Sequence, residues 1–76
     1  STMGGQVVCM TGFRDKDMGT AIEAAGGELS NGVSKKTTLL VAKDPSSTSG
    51  KAKKARASGI PIIGPDEMWD RLGGRP

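Results

Sequence analysis

Val7-Val8-Cys9-Met10-Thr11-Gly12 is a four-residue apolar run that stops at a small polar pair. A short run bounded in this way reads as a strand buried on both faces. Gly12 permits a sharp turn out of it. A second run, Thr37-Thr38-Leu39-Leu40-Val41-Ala42, is β-rich, nearly continuous in apolar residues, and closed by Lys43-Asp44-Pro45. Two shorter segments complete the strands. Glu28-Leu29-Ser30 precedes the turn signal Asn31-Gly32 and is expected at a sheet edge. Ile60-Pro61-Ile62-Ile63 contains a proline, which also argues for an edge.

Helical patterns fill the intervals. Met18, Ala21, Ile22 and Ala25 form one apolar stripe, with Asp15 or Asp17 as the cap and Gly26-Gly27 as the stop. Lys51 to Ser58 reads as a second helix, capped by a hydroxyl of the Ser46–Ser49 loop and ended by Gly59. Its Ala52 and Ala55 share a face and let another element approach closely. Gly64-Pro65-Asp66-Glu67 opens a third helix, with Met68, Trp69 and Leu72 on one stripe. The order β-α-β-β-α-β-α implies a three-layer α/β domain with a mainly parallel sheet and helices on both faces. Trp69 and Ile22 are core candidates. Residues 1–5 are expected to be a flexible lead-in or an expression remnant, 6–73 the domain, and 74–76 a frayed tail.

Composition narrows the chemistry. The 76 residues allow one domain with a small core, and apolar residues make up only 34%. There is no histidine and a single cysteine, so the commonest general base, a cysteine metal site and an internal disulfide are all excluded. Asp15 and Asp17 read as cap residues rather than an acid–base pair, and Cys9 as a buried, inert thiol. The glycine-rich pieces lack the Walker pattern. No run is long enough to span a bilayer. The expectation is a reduced, intracellular, monomeric domain without a cofactor or a catalytic residue, residing in nucleoid, cytoplasm or nucleus according to the organism.

The net charge is +3, but its distribution is uneven. Lys35, Lys36, Lys43, Lys51, Lys53, Lys54 and Arg56 fall between Ser34 and Ser58, where Asp44 is the sole acid. A one-sided basic surface suits nucleic acid or a phosphorylated partner; the plain alternative is a solvated charged face. Ligands of open α/β sheets bind outside the carboxyl ends of strands, where Thr11 and Gly12 are expected. Lys51, Lys53 and Lys54 crowd the positive end of the second helix, which costs roughly 0.3–1 kcal/mol per charge at low salt. Lys51 and Lys54 are three apart and can face one anion, whereas Lys53 points away.

The ordered pieces resemble the BRCT family, the breast-cancer-protein C-terminal domain. They are Val8-Cys9-Met10-Thr11-Gly12-Phe13, Ile22 through Leu29 with its glycine pair, Val33-Ser34-Lys35-Lys36-Thr37-Thr38-Leu39-Leu40-Val41-Ala42, Lys51-Ala52-Lys53-Lys54-Ala55, Gly59-Ile60-Pro61-Ile62-Ile63, and Trp69. Within the family the chain looks most similar to the single modules of NAD-dependent DNA ligases and of the replication factor C large subunit. The resemblance implies a four-stranded parallel sheet in the order 2-1-3-4, two helices on one face and one on the other, and Trp69 anchoring the third helix against the second side of the sheet. In relatives that bind phosphate, a strand-end hydroxyl, the next glycine's N–H and a lysine opening the second helix act together; these fall on Thr11, Gly12 and Lys51. A second helix lysine used for a DNA 5′-phosphate falls on Lys54. An arginine before the first helix falls near Asp15, flanked by Arg14 and Lys16.

The resemblance thus implies a non-catalytic module of a replication or repair enzyme, such as a DNA ligase, that binds DNA ends or nicks. Arg14, Lys16, Lys35 and Lys36 are the further candidates for contact with the DNA backbone. The alternatives are a module that binds a phosphopeptide or another protein, and a structural brace between domains of the parent enzyme.

Overall fold

The computed structural model describes residues 2–76. The elements are β1 (Val7–Thr11), α1 (Lys16–Ala24), β2 (Glu28–Ser30), β3 (Leu39–Ala42), α2 (Gly50–Ala57), β4 (Ile62–Ile63) and α3 (Pro65–Arg71). All strand pairings are parallel and the order is β2-β1-β3-β4. The chain leaves β1 toward one edge through α1 and leaves β3 toward the other edge through α2. Right-handed crossovers that run in opposite directions put their helices on opposite faces.

Burial follows that division. Val8, Leu39 and Val41 join Met18 and Ile22 of α1 and Met68 and Trp69 of α3 in one cluster. Cys9 and Leu40 join Val33, Ala52 and Ala55 in the other. Two helices therefore share a face and α2 has the other to itself. Trp69 does anchor α3, but on the face shared with α1 rather than on a second side. Its indole N–H is buried without a hydrogen-bond partner among the described residues.

The helix caps follow local chemistry. The Asp15 carboxylate accepts from the Met18 N–H at 3.0 Å, and the Ser49 hydroxyl accepts from the Ala52 N–H at 3.3 Å. Gly26 ends the α1 segment at φ +91, a left-handed conformation that favours glycine. Strand ends differ from the sequence reading. β3 starts two residues later than expected: Thr37 closes the preceding turn, and at Thr38 the hydroxyl, rather than a backbone carbonyl, takes the Val7 N–H, although the Thr38 N–H still donates to the Val7 carbonyl. The Thr37 hydroxyl accepts from the Ser34 N–H and donates to the Gly32 carbonyl. The Thr38 hydroxyl accepts from the Val7 N–H and donates to the Gln6 side chain. β4 keeps only Ile62–Ile63, although the Pro61 carbonyl still accepts from the Leu40 N–H at 3.0 Å.

Contacts near both ends join them to the domain. Residue 1 lies outside the described residues, but Met3 is only 4% exposed and belongs to the larger core cluster. Its N–H donates to the Ala25 carbonyl at 2.9 Å. A Cβ on Gly27 would lie 3.0 Å from the Met3 Cβ and 2.7 Å from an Ile22 methyl, so this glycine makes the room that Met3 fills. Residues 2–5 thus form a turn, and Met3 is the side chain that packs. At the other end the Gly74 N–H donates to the Trp69 carbonyl at 2.7 Å and Arg75 pairs with Asp66. Among the described residues no helix is long and apolar enough to cross a membrane.

Candidate functional site

β1 and β3 are neighbours whose connections leave in opposite directions, and a crevice at such a switch point is where open α/β sheets bind ligands. Strand parity decides which side chains meet there. Thr11 lies two residues beyond Cys9 and so points to the same face, the α2 face. α2 runs back antiparallel to the strands, so its first turn lies at the carboxyl end of the sheet. Lys51 is its second residue. Thr11, Gly12, Arg14 and Lys51 accordingly line one cavity of about 370 Å³, together with Ser30 and Asn31 at the end of β2.

The backbone at Gly12 is aimed by the ladder. The Thr11 carbonyl accepts from the Lys43 N–H at 3.1 Å, so it points toward β3. In a trans peptide the next N–H points the opposite way, and the described chain has no cis bond. The Gly12 N–H therefore faces the β2 side. β2 has already ended there, since its last partner is Cys9, while β1 continues to Thr11 alongside β3. Gly12 has φ +80, and a Cβ on it would meet the Lys43 Cβ at 3.3 Å. A glycine suits the position on both counts.

The electrostatics favour an anion. α1 and α3 carry acids in their first turns, Asp17 in one and Asp66 with Glu67 in the other. α2 has none, and Lys51 and Lys53 stand there instead. The positive end of a helix next to fixed ammonium groups is a favourable place for a negative ligand. Burial pushes the Cys9 thiol above its ordinary pKa, and the Lys51 charge acts in the opposite sense. Lys51 thus acts on the face of the sheet that carries both Cys9 and Thr11.

The other candidates separate. Lys54 is exposed, one turn further along α2, and is not in the cavity wall. Lys16 borders a neighbouring groove of about 490 Å³ that also includes Arg14 and Asp15. Lys35 and Lys36 sit in the turn closed by the Thr37 N–H and the Ser34 carbonyl, just before Thr38 bonds Val7. That is the amino end of the sheet, about 13 Å of strand away from Thr11 at roughly 3.3 Å per residue. The structure therefore groups Arg14 with Thr11, Gly12 and Lys51 but sets Lys35 and Lys36 at the far end. Sequence reasoning did not single out Met10, Phe13, Leu29, Ser30 and Asn31 as cavity residues. Only the placement of β2 beside β1 brings the last three there. Among the described residues no cluster of histidine, cysteine or carboxylate side chains is fit to hold a metal.

Comparison with known proteins places this arrangement in a family. Residues 4–72 match the model of the BRCA1 C Terminus (BRCT) domain. The chain belongs to the BRCT family. As a BRCT domain it is a non-catalytic module, and its relatives include DNA ligases. It is 40% identical to DNA ligase 1 of Opitutus terrae, over 97% of this chain and 11% of that protein. It is 47% identical to the DNA ligase of Acanthamoeba polyphaga mimivirus, over 72% of this chain and 9% of that protein. This BRCT chain thus spans about a tenth of the length of the ligases it matches. The crystal structure of Rad4 BRCT1,2 in complex with a Crb2 phosphopeptide superposes with a TM-score of 0.73 at 25% identity, covering 88% of this chain and 38% of that one.

Proposed function

We propose that this BRCT domain is a DNA-binding module of a replication or repair enzyme, a DNA ligase, and grips the 5′-phosphate of a DNA end or nick. One observation carries the reading: the Thr11–Gly12 tip of β1, Arg14 and Lys51 share the wall of one cavity. The Gly12 N–H and the Lys51 ammonium approach it from two elements, so one phosphate receives a backbone donor and a charge together. Lys54 adds a longer-range charge. The ligase relatives supply the DNA context.

The test is a titration with a 5′-phosphorylated duplex and the same duplex dephosphorylated, at several salt concentrations. The phosphorylated duplex binds more tightly, and Lys51→Ala removes most of that difference, roughly tenfold for the loss of a charge-assisted hydrogen bond. The salt slope falls by about 0.9 for each phosphate that the variant no longer neutralises. Equal affinity for both duplexes, unchanged by Lys51→Ala, rejects end recognition.

A second reading is favoured by the phosphopeptide held by the Rad4 repeats. The same donors would then take a phosphoserine or phosphothreonine. Tight binding of a phosphopeptide with no binding of DNA decides for that reading.

A further inference from the structure

The cavity has a half that a bare anion leaves unused. Val8, Met10, Phe13 and Leu29 line it beside the Thr11–Lys51 end. Leu29 is 38% exposed, the one large hydrophobic side chain among the described residues that stands open to solvent. It pairs in register with Val8, and Met10 lies two residues beyond Val8, so all three share the α1 face. Thr11 and Lys51 lie on the α2 face. The cavity therefore passes over the end of β2, with donors on one side of the sheet and an apolar wall on the other. The wall is braced: Met10 and Phe13 pack on the larger core cluster, and the Leu29 Cδ1 lies 3.0 Å from where a Cβ on Gly19 would stand. Arg14 lines both this cavity and the groove that continues across α1 past Lys16. Anion grip and apolar wall thus share one cavity, and Arg14 joins it to the next groove, where Asp15 and Glu23 also stand.

We infer that the apolar wall takes the terminal nucleobase of a 5′-phosphorylated DNA end, unpaired and laid against Phe13, Met10 and Leu29, with the next phosphate at Arg14. This rests on the DNA-end reading above. The kinds of group in the lining match one nucleotide, which carries a phosphate, a flat ring and then the next phosphate. A volume of about 370 Å³ lies in the range of roughly 300–1,000 Å³ for small-ligand sites, which suits one nucleotide rather than a duplex. Stacking on an aromatic ring tolerates any base, so the wall selects the state of the end and not its sequence.

The experiment compares three 5′-phosphorylated duplexes: one with a single unpaired 5′ nucleotide, one with an abasic residue in its place, and one blunt. An unphosphorylated copy of the first is the control. The unpaired nucleotide binds at least about fivefold more tightly than the abasic one, the smaller end of what stacking one base provides. Leu29→Ser and Phe13→Leu, both at incompletely buried positions, erase that difference but keep the dependence on phosphate. Equal affinity for the normal and abasic ends, with phosphate dependence intact, overturns the inference alone. Loss of phosphate dependence in every duplex overturns both the inference and the reading beneath it. Tighter binding of a phosphoserine peptide with an apolar neighbour than of any duplex overturns the assignment to a nucleobase.

Discussion

On the α1/α3 face the sheet meets Met18, Ile22, Met68 and Trp69; on the α2 face it meets Val33, Ala52 and Ala55. The first face is thick and built from large side chains. The second is thin, because a helix that turns alanines inward sits closer to the strands than one that turns in methionine or tryptophan. The contrast separates two tasks. The thick face supplies most of the buried apolar area and hence most of the stability. The thin face lowers the start of α2 onto the strand tips, where Lys51 shares a cavity with Thr11 and Gly12.

The largest way to break the comparison is Trp69→Ala. Truncating a buried tryptophan costs about 3–5 kcal/mol, comparable to what a core of this size supplies. The variant is expected to be largely unfolded at 25 °C by circular dichroism. Trp69→Phe sharpens the point, since it also removes the buried N–H that has no partner among the described residues. It should cost clearly less and remain folded.

On the thin face the expected effect is smaller and of a different kind. Ala52→Leu overpacks the α2 interface by about 1–3 kcal/mol and lifts the helix start. It should weaken phosphate-dependent binding more than its loss of stability accounts for. A folded variant with unchanged phosphate dependence would detach the thin face from the site. Ser49→Ala removes the α2 cap at about 1 kcal/mol. Faster amide exchange should follow at the start of α2, with β1 unaffected.

The smallest effect concerns acid. Asp44 accepts from the Ser46 hydroxyl at 2.7 Å and the Ser46 N–H at 3.0 Å, and these bonds lower its pKa. The contribution is present above the ordinary aspartate value and fades as pH falls through the lowered one. The Ser46 amide resonance should therefore titrate with a midpoint below that of an unperturbed aspartate, and Asp44→Ala should abolish the titration.

Much of this was legible in the sequence. The element order, Gly26 as the α1 stop and the packing role of Ala52 and Ala55 rest on local chemistry and spacing, which also narrowed each helix cap to a few neighbouring side chains; the strand order came only with the family resemblance. Met3 was not legible, because Ser-Thr-Met-Gly-Gly has the composition of a loose end. Its burial depends on space that Gly27 opens far along the chain. The late start of β3 was hidden for a similar reason, since the Thr38 hydroxyl finds its partners in Gln6 and Val7, distant in sequence. At the site, Thr11, Gly12 and Lys51 could be placed by strand ends and helix starts. Leu29, Ser30 and Asn31 were not singled out, because no local pattern in a short edge strand tells that its carboxyl end borders the Thr11–Gly12 tip. Charge alone grouped Lys35 and Lys36 with Lys51, and the topology parts them.

The central claim is that the β1 tip and the α2 start hold one phosphate jointly, and amide shift mapping tests it most directly. A 5′-phosphorylated duplex is titrated into the domain beside its dephosphorylated copy. The expected result is a phosphate-dependent shift of Gly12 together with Lys51 and its helical neighbours, while Lys35 and Lys36 respond alike to both duplexes. Phosphate-dependent shifts confined to the Lys35–Lys36 turn, with Gly12 unmoved, would contradict it.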